Sequence, residues 1–244
     1  MDVKTAGRTL ELFELFGREQ RPLSLTDIAQ SLKAPISSSF NLVRALEGRG
    51  YLYGTGGRKG IYPTRKIFEV SKAIAGGEPW VQKLEPLLET LRDSTQETVI
   101  LGKLHGEQAI YIIVIEGPQS IRYSASPGDL KPLHSSAIGK ALLTVLPPEQ
   151  RDRKLNGLAL ERRTPSTITA RAKLLEDLRV SSERGFTLTR GENVEDVMGM
   201  AITVQLGEEM YAVALAGPVT RMEPQIEKHY AELLRFKAEV QKLR

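Results

Sequence analysis

The sequence predicts an α+β protein in two parts: a winged helix-turn-helix, then an antiparallel sheet flanked by helices. Three observations predict it. Two short amphipathic stretches between residues 24 and 50 meet at a turn. A hairpin with a basic tip follows them directly. From residue 97 onward, pairs of β-rich runs joined by short Gly-containing turns alternate with helical stretches, which fits a layered sheet-and-helix domain.

The first helix is expected over 3–16, with Leu10, Phe13, Leu15 and Phe16 among its apolar positions. A second helix is expected over 26–32, burying Ile28, Ala29 and Leu32, with Ser24 or Thr26 as its cap. Lys33-Ala34 makes the turn, and Pro35 suits the first position of a third helix, where no N–H donor is needed. That helix, to about residue 47, should bury Ser39, Leu42, Val43 and Leu46. Its other face carries Ile36, Ser37, Ser38, Phe40, Asn41 and Arg44. Hydroxyls, an amide and a guanidinium on one exposed helical face can reach base edges and phosphates. Tyr51-Leu52-Tyr53 and Ile61-Tyr62 then read as strands around the turn GTGGRKG, a wing with Arg58 and Lys59 at its tip. The candidate DNA contacts are therefore Ser37, Ser38, Phe40, Asn41, Arg44, Arg58 and Lys59.

Charge points the same way. The chain of 244 residues has a net charge of +4. Residues 1–75 hold 12 Lys/Arg against 7 Asp/Glu, and the rest is close to neutral. Phosphate neutralisation requires a local patch of this kind rather than overall basicity. No apolar run is long enough to cross a bilayer, and no secretory signal is expected, so a cytoplasmic, non-membrane protein is the expectation. There are no cysteines, which excludes disulfides and thiolate chemistry. His105, His134 and His229 are scattered without metal-ligand spacing, so neither a metal nor a cofactor is expected.

The expected domains are 1–64 (DNA binding), 65–79 (a linker helix ended by Gly76-Gly77-Glu78-Pro79) and 80–244 (effector binding and oligomerisation). In the last of these, helices are expected over 81–94, 134–146, 170–184 and 223–243. Strands are expected over 97–104, 108–115, 121–126, 186–190, 197–206 and 210–216.

With these elements in place the whole chain resembles the IclR family of bacterial transcriptional regulators. The match is carried by PLHSSAIGKALL at 132–143, TPSTIT at 164–169, Arg184-Gly185-Phe186, Gly191-Glu192-Asn193 and Ala216-Gly217-Pro218. The resemblance implies a GAF-like effector domain, dimers or dimers of dimers, double-stranded operator DNA as partner, and control by a small metabolite, often an organic acid. Carried over by position, the effector site would involve Ala137, Ile138, Thr189, Gly199 and Ala214. Relatives often have an acidic residue in place of Thr189 and a cysteine in place of Gly199, so this site would be roomier and less acidic. Relatives also often have a basic residue where Ile36 and Asn41 stand, so the operator should differ too.

The residues argue for the site independently. Ser135-Ser136-Ala137-Ile138-Gly139 opens a helix, and free N–H groups at a helix start favour an anion. Ser136 serves either as cap or as ligand contact. Tyr111 and Tyr123, expected on neighbouring strands, are either ordinary sheet residues or the lining of a cavity suited to an aromatic acid. Lys140 reads as a solvated helix residue, with contact to the ligand as the alternative. His134 beside Ser135 suggests a nucleophile and base, but adjacent residues seldom face each other and no orienting group follows. No G-x-S-x-G elbow, phosphate loop or carboxylate pair is present, so no catalytic residues are expected. The alternative to an effector-controlled regulator is a DNA-binding adaptor whose second domain only mediates assembly.

Overall fold

The computed structural model describes residues 3–55, 60–77 and 79–243, with backbone alone over 79–82. It divides into two compact units, Met1–Pro79 and Trp80–Arg244.

In the first unit, α1 (Lys4–Glu19), α2 (Leu25–Ser31) and α3 (Ile36–Gly48) precede β1 (Leu52–Thr55) and β2 (Gly60–Pro63). Ser24 caps α2 in a reciprocal box: its hydroxyl accepts from Asp27 N–H, and the Asp27 carboxylate accepts from Ser24 N–H. Lys33 takes a left-handed φ of 48° at the turn, and Pro35 sits just before α3. The antiparallel pair β1–β2 is extended by Leu23, which exchanges backbone hydrogen bonds with Ile61. Leu12, Leu15, Phe16, Ile28, Val43, Leu46 and Leu52 form the core. Leu10 does not join it. At 65% exposed it lies on the outer face of α1, and Leu12 occupies the inward position instead. The unit ends with α4 (Lys66–Gly76), in which no residue is buried.

The second unit holds one six-stranded antiparallel sheet, in the order β5-β4-β3-β8-β7-β6. Its strands are β3 (Thr98–His105), β4 (Gln108–Ile115), β5 (Leu130–Pro132), β6 (Thr187–Arg190), β7 (Val197–Leu206) and β8 (Glu209–Pro218). Alternation along β8 sets the layers. Val213 and Leu215 join the core formed with α5 (Pro79–Thr95) and α10 (Ile226–Gln241). Ala212, Ala214 and Ala216 face the other way. Against these small side chains lie α6 (Ala137–Thr144), α7 (Pro148–Gly157) and α8 (Arg171–Arg184), through Ile138, Leu155 and Leu174. A short α9 (Val219–Met222) links β8 to the closing helix.

Two sequence expectations fail here. Residues 121–126 are not a strand: Ile121 is 76% exposed, and the stretch is anchored by isolated bonds, Thr98 Oγ1 to Tyr123 O and Arg221 to Ile121 O. The pairing edge of β4 is taken instead by β5, led in by the turn at Gly128, whose φ is 89°. Tyr123 therefore lies in a loop and not on a strand beside Tyr111. The helix expected from 134 begins three residues later, because Ser136 caps it by accepting from Gly139 N–H.

Candidate effector cavity and DNA-reading face

On α3 the core side holds Ser39, Val43 and Leu46, which turns Ser37, Ser38, Phe40, Asn41 and Arg44 outward. All five are exposed, as is Ile36. Arg44 is only loosely held, with its guanidinium 3.6 Å from Glu47. Arg58 and Lys59, expected at the wing tip, lie outside the described residues.

The second unit has a small cavity, open to solvent on one side, between the sheet and the start of α6. Tyr111, Tyr123, Ser136, Ala137, Ile138, Thr189, Gly199 and Ala214 all line it. The structure thus brings together every residue singled out for an effector site, although Tyr123 arrives from a loop. Ile100, Ser135, Asn193, Val194, Val197, Leu215 and Ala216 complete the lining. Asn193 and Val194 were missed as cavity residues. The signal available was their position next to Gly191-Glu192 in one of the family-like segments.

Local sequence builds the cavity floor. A Cβ at Gly139 would lie 2.5 Å from Leu133 Cα, so only glycine lets the first turn of α6 touch the chain before it. A Cβ at Gly199 would lie 2.9 Å from Thr189 Oγ1 and 3.0 Å from Ala137 Cβ, so glycine there keeps the space beside the helix start open. The Ser136 hydroxyl donates to Pro132 O and accepts from Gly139 N–H, while Ser136 O accepts from Lys140 N–H. The N–H groups of Ala137 and Ile138, both cavity residues, are left without intrahelical acceptors.

Lys140 corrects the sequence reading most sharply. It is 0% exposed, not solvated. Its ammonium donates to both Glu192 oxygens at 2.7 and 2.8 Å and lies 2.9 Å from Asp177 Oδ2. Burial raises the Glu192 carboxyl above its usual range, against the pull of Lys140. The pair fixes the loop over 191–196, which brings Asn193 and Val194 to the cavity. Thr164 Oγ1 donates to Gly191 O at 2.5 Å and Thr167 Oγ1 to Glu192 O at 2.7 Å, pinning the same loop.

His134 does not serve Ser135. Its Nε2 lies 3.0 Å from Glu161 O, and Ser135 Oγ reaches toward Asn193 Oδ1 at 3.5 Å. Burial lowers the His134 pKa. Burial likewise pushes the Tyr111 phenol far above its ordinary value. The cavity lining contains no Lys, Arg, Asp or Glu. Among the described residues no His, Cys, Asp and Glu cluster could hold a metal, and no helix is long and apolar enough to cross a membrane.

Comparison with known proteins fits this architecture. Residues 77–241 match the family model described as "Bacterial transcriptional regulator IclR C-terminal", and residues 5–56 match the IclR helix-turn-helix domain. The HTH-type transcriptional regulator BhcR of Paracoccus denitrificans is 30% identical over 222 residues, covering 90% of this chain and 79% of BhcR. The crystal structure of the Thermotoga maritima IclR superposes with a TM-score of 0.82 at 23% identity, covering 99% of this chain and 98% of that one. An IclR homolog from Microbacterium hydrocarbonoxydans, solved in complex with 4-hydroxybenzoate, gives a TM-score of 0.74 at 19% identity, covering 98% and 99%. Its members are DNA-binding regulators and not enzymes: the chain belongs to the IclR family of bacterial transcriptional regulators.

Proposed function

We propose that this regulator senses a small organic acid, bound with its carboxylate at the start of α6. The observation that carries the reading is the cavity seated on the free N–H groups of Ala137 and Ile138, where small side chains allow close approach. The macrodipole favours an anion at that point. The lining offers no side-chain cation, and Lys140 is already engaged by two carboxylates. Tyr111 and Tyr123 supply aromatic walls with polar tips, so a hydroxylated aromatic acid is within the class. The homolog holding 4-hydroxybenzoate supports that choice.

At the DNA, Ser37, Ser38, Phe40, Asn41 and Arg44 approach base edges and phosphates, with Arg58 and Lys59 of the wing on flanking phosphates. One such module binds too weakly to find a site in a genome, so the working form is a dimer, or a dimer of dimers, reading two half-sites in the cytoplasm. The effector acts through its different affinity for two arrangements of that assembly, relayed through α4.

The experiment combines a thermal-shift screen of aliphatic and aromatic carboxylates with a mobility-shift assay on the chain's own upstream DNA. A ligand that binds only the folded state raises the midpoint. An acid that both stabilises the protein and alters the DNA shift supports the reading. A DNA shift with no stabilising acid in a broad set favours the assembly-only alternative.

A further inference from the structure

Ile36 and Phe40 are 57% and 50% exposed, on the same helix face as the polar candidates for DNA contact. They lie one turn apart, at i and i+4, so their side chains stack along one edge of that face. Ser37, Asn41 and Arg44 run down its middle, as the 3.6-residue repeat requires. Ile36 is the first residue of α3, at the end that reaches base edges when such a helix lies in the major groove. No carboxylate occurs on α3 before Glu47, and residues 1–75 carry 12 basic residues against 7 acidic ones. The partner of this face is therefore a polyanion that also offers apolar contact. In the major groove the one apolar group on a base edge is the C5-methyl of thymine.

We infer that Ile36 and Phe40 read thymine methyl groups in the operator, and that each half-site carries A·T pairs where they dock. A lysine or arginine at position 36 would instead select guanine. The inference rests on the DNA-reading role of α3, and the test separates the two. The duplex that the full-length protein binds tightest, recovered by selection from random sequence, is remade with single thymines replaced by deoxyuridine. Deoxyuridine pairs identically and lacks only the methyl.

One or two positions per half-site should weaken binding about three- to fivefold, the effect of withdrawing one buried methyl. Ile36→Ala and Phe40→Ala should each bind the thymine and uracil forms equally at the position its own side chain reads. Both side chains are exposed, so the variants should keep the wild-type thermal midpoint. Equal binding of every uracil duplex by the wild-type protein, with sequence preference intact, overturns the methyl inference and leaves DNA reading standing. Failure to select any duplex overturns both. If Ile36→Ser changes the sedimenting mass of the free protein, these residues face a second copy and the inference is overturned.

Discussion

Replacing Lys140 with Met keeps most of the side-chain length and removes the ammonium shared by Glu192 and Asp177. Glu192 is buried and both of its oxygens accept from that ammonium, at 2.7 and 2.8 Å, with a further backbone hydrogen bond from Ile168, whereas the Asp177 side chain is partly open to water. Breaking a buried pair by removing one partner costs about 3–5 kcal/mol, because the other charge stays buried and uncompensated. Asp177 should contribute less to that cost, because its side chain reaches water, although the Oδ2 facing Lys140 is buried and has no other hydrogen-bond partner. We expect a loss near the lower end, about 3 kcal/mol at pH 7, or roughly 10 °C in the thermal midpoint of a domain this size. The sign with pH follows from Glu192. Its folded pKa is already raised by burial and rises further without Lys140. A raised carboxyl destabilises the fold above its unfolded value, so the penalty is full where Glu192 is ionised and shrinks as pH falls through the raised value. Urea unfolding of wild type, Lys140→Met and Lys140→Met/Glu192→Gln at pH 7.5 and 5 measures this. The double variant should recover part of the loss at pH 7.5. A single variant within 1 kcal/mol of wild type (roughly the value of an exposed pair), or a double variant no better than the single, would mean that Lys140 does not neutralise a buried Glu192 charge.

Ser24→Ala removes one half of the α2 capping box and should cost about 1 kcal/mol in urea unfolding. It should also raise the Asp27 carboxyl part of the way toward its ordinary value, visible by NMR titration: the bond from the Ser24 backbone N–H, the larger cause of the lowering, survives the substitution, and the hydroxyl's contribution does not. His134 and His229 are both buried with lowered pKa values, chiefly through desolvation. Their contribution to stability is present above the unfolded histidine value and lost as pH falls below it, at up to about 1.4 kcal/mol per pH unit for each proton taken up on unfolding. A flat stability profile from pH 7.5 to 5 would contradict this, and His229→Leu should reduce the slope. Arg44→Ala should weaken binding to the selected duplex by about 1–3 kcal/mol if Arg44 reads a base. Unchanged affinity in a gel-shift titration would remove it from the interface.

Elements whose signal is local were legible in the sequence. The spacing of Ile28, Ala29 and Leu32 marked α2, and the β-rich runs over 197–206 and 210–216 around a Gly-containing turn marked the β7–β8 hairpin. The lining of the cavity was legible through small residues at a helix start together with the family-like segments. Features that depend on distant partners were not. Lys140 in a helix reads as solvated until Glu192, 52 residues on, is seen to enclose it. Residues 121–126 were expected as a strand, but nothing local to them reveals that β4 pairs with Leu130–Pro132 instead. Leu10 fits an apolar period, yet a shift of two residues to Leu12 decides which side chain meets the core.

Backbone NMR can observe an acid bound at the start of α6. The carboxylate giving the largest thermal stabilisation would be titrated into the labelled protein while the amide signals of Ala137 and Ile138 are followed. Both amides should move downfield and saturate with the same affinity as the thermal effect, as expected for N–H groups gaining a charged acceptor. Leu at position 199, in the variant Gly199→Leu, should abolish the response by filling the space beside Thr189 and Ala137. Saturating shifts elsewhere in the domain, with Ala137 and Ile138 unmoved, would contradict the account.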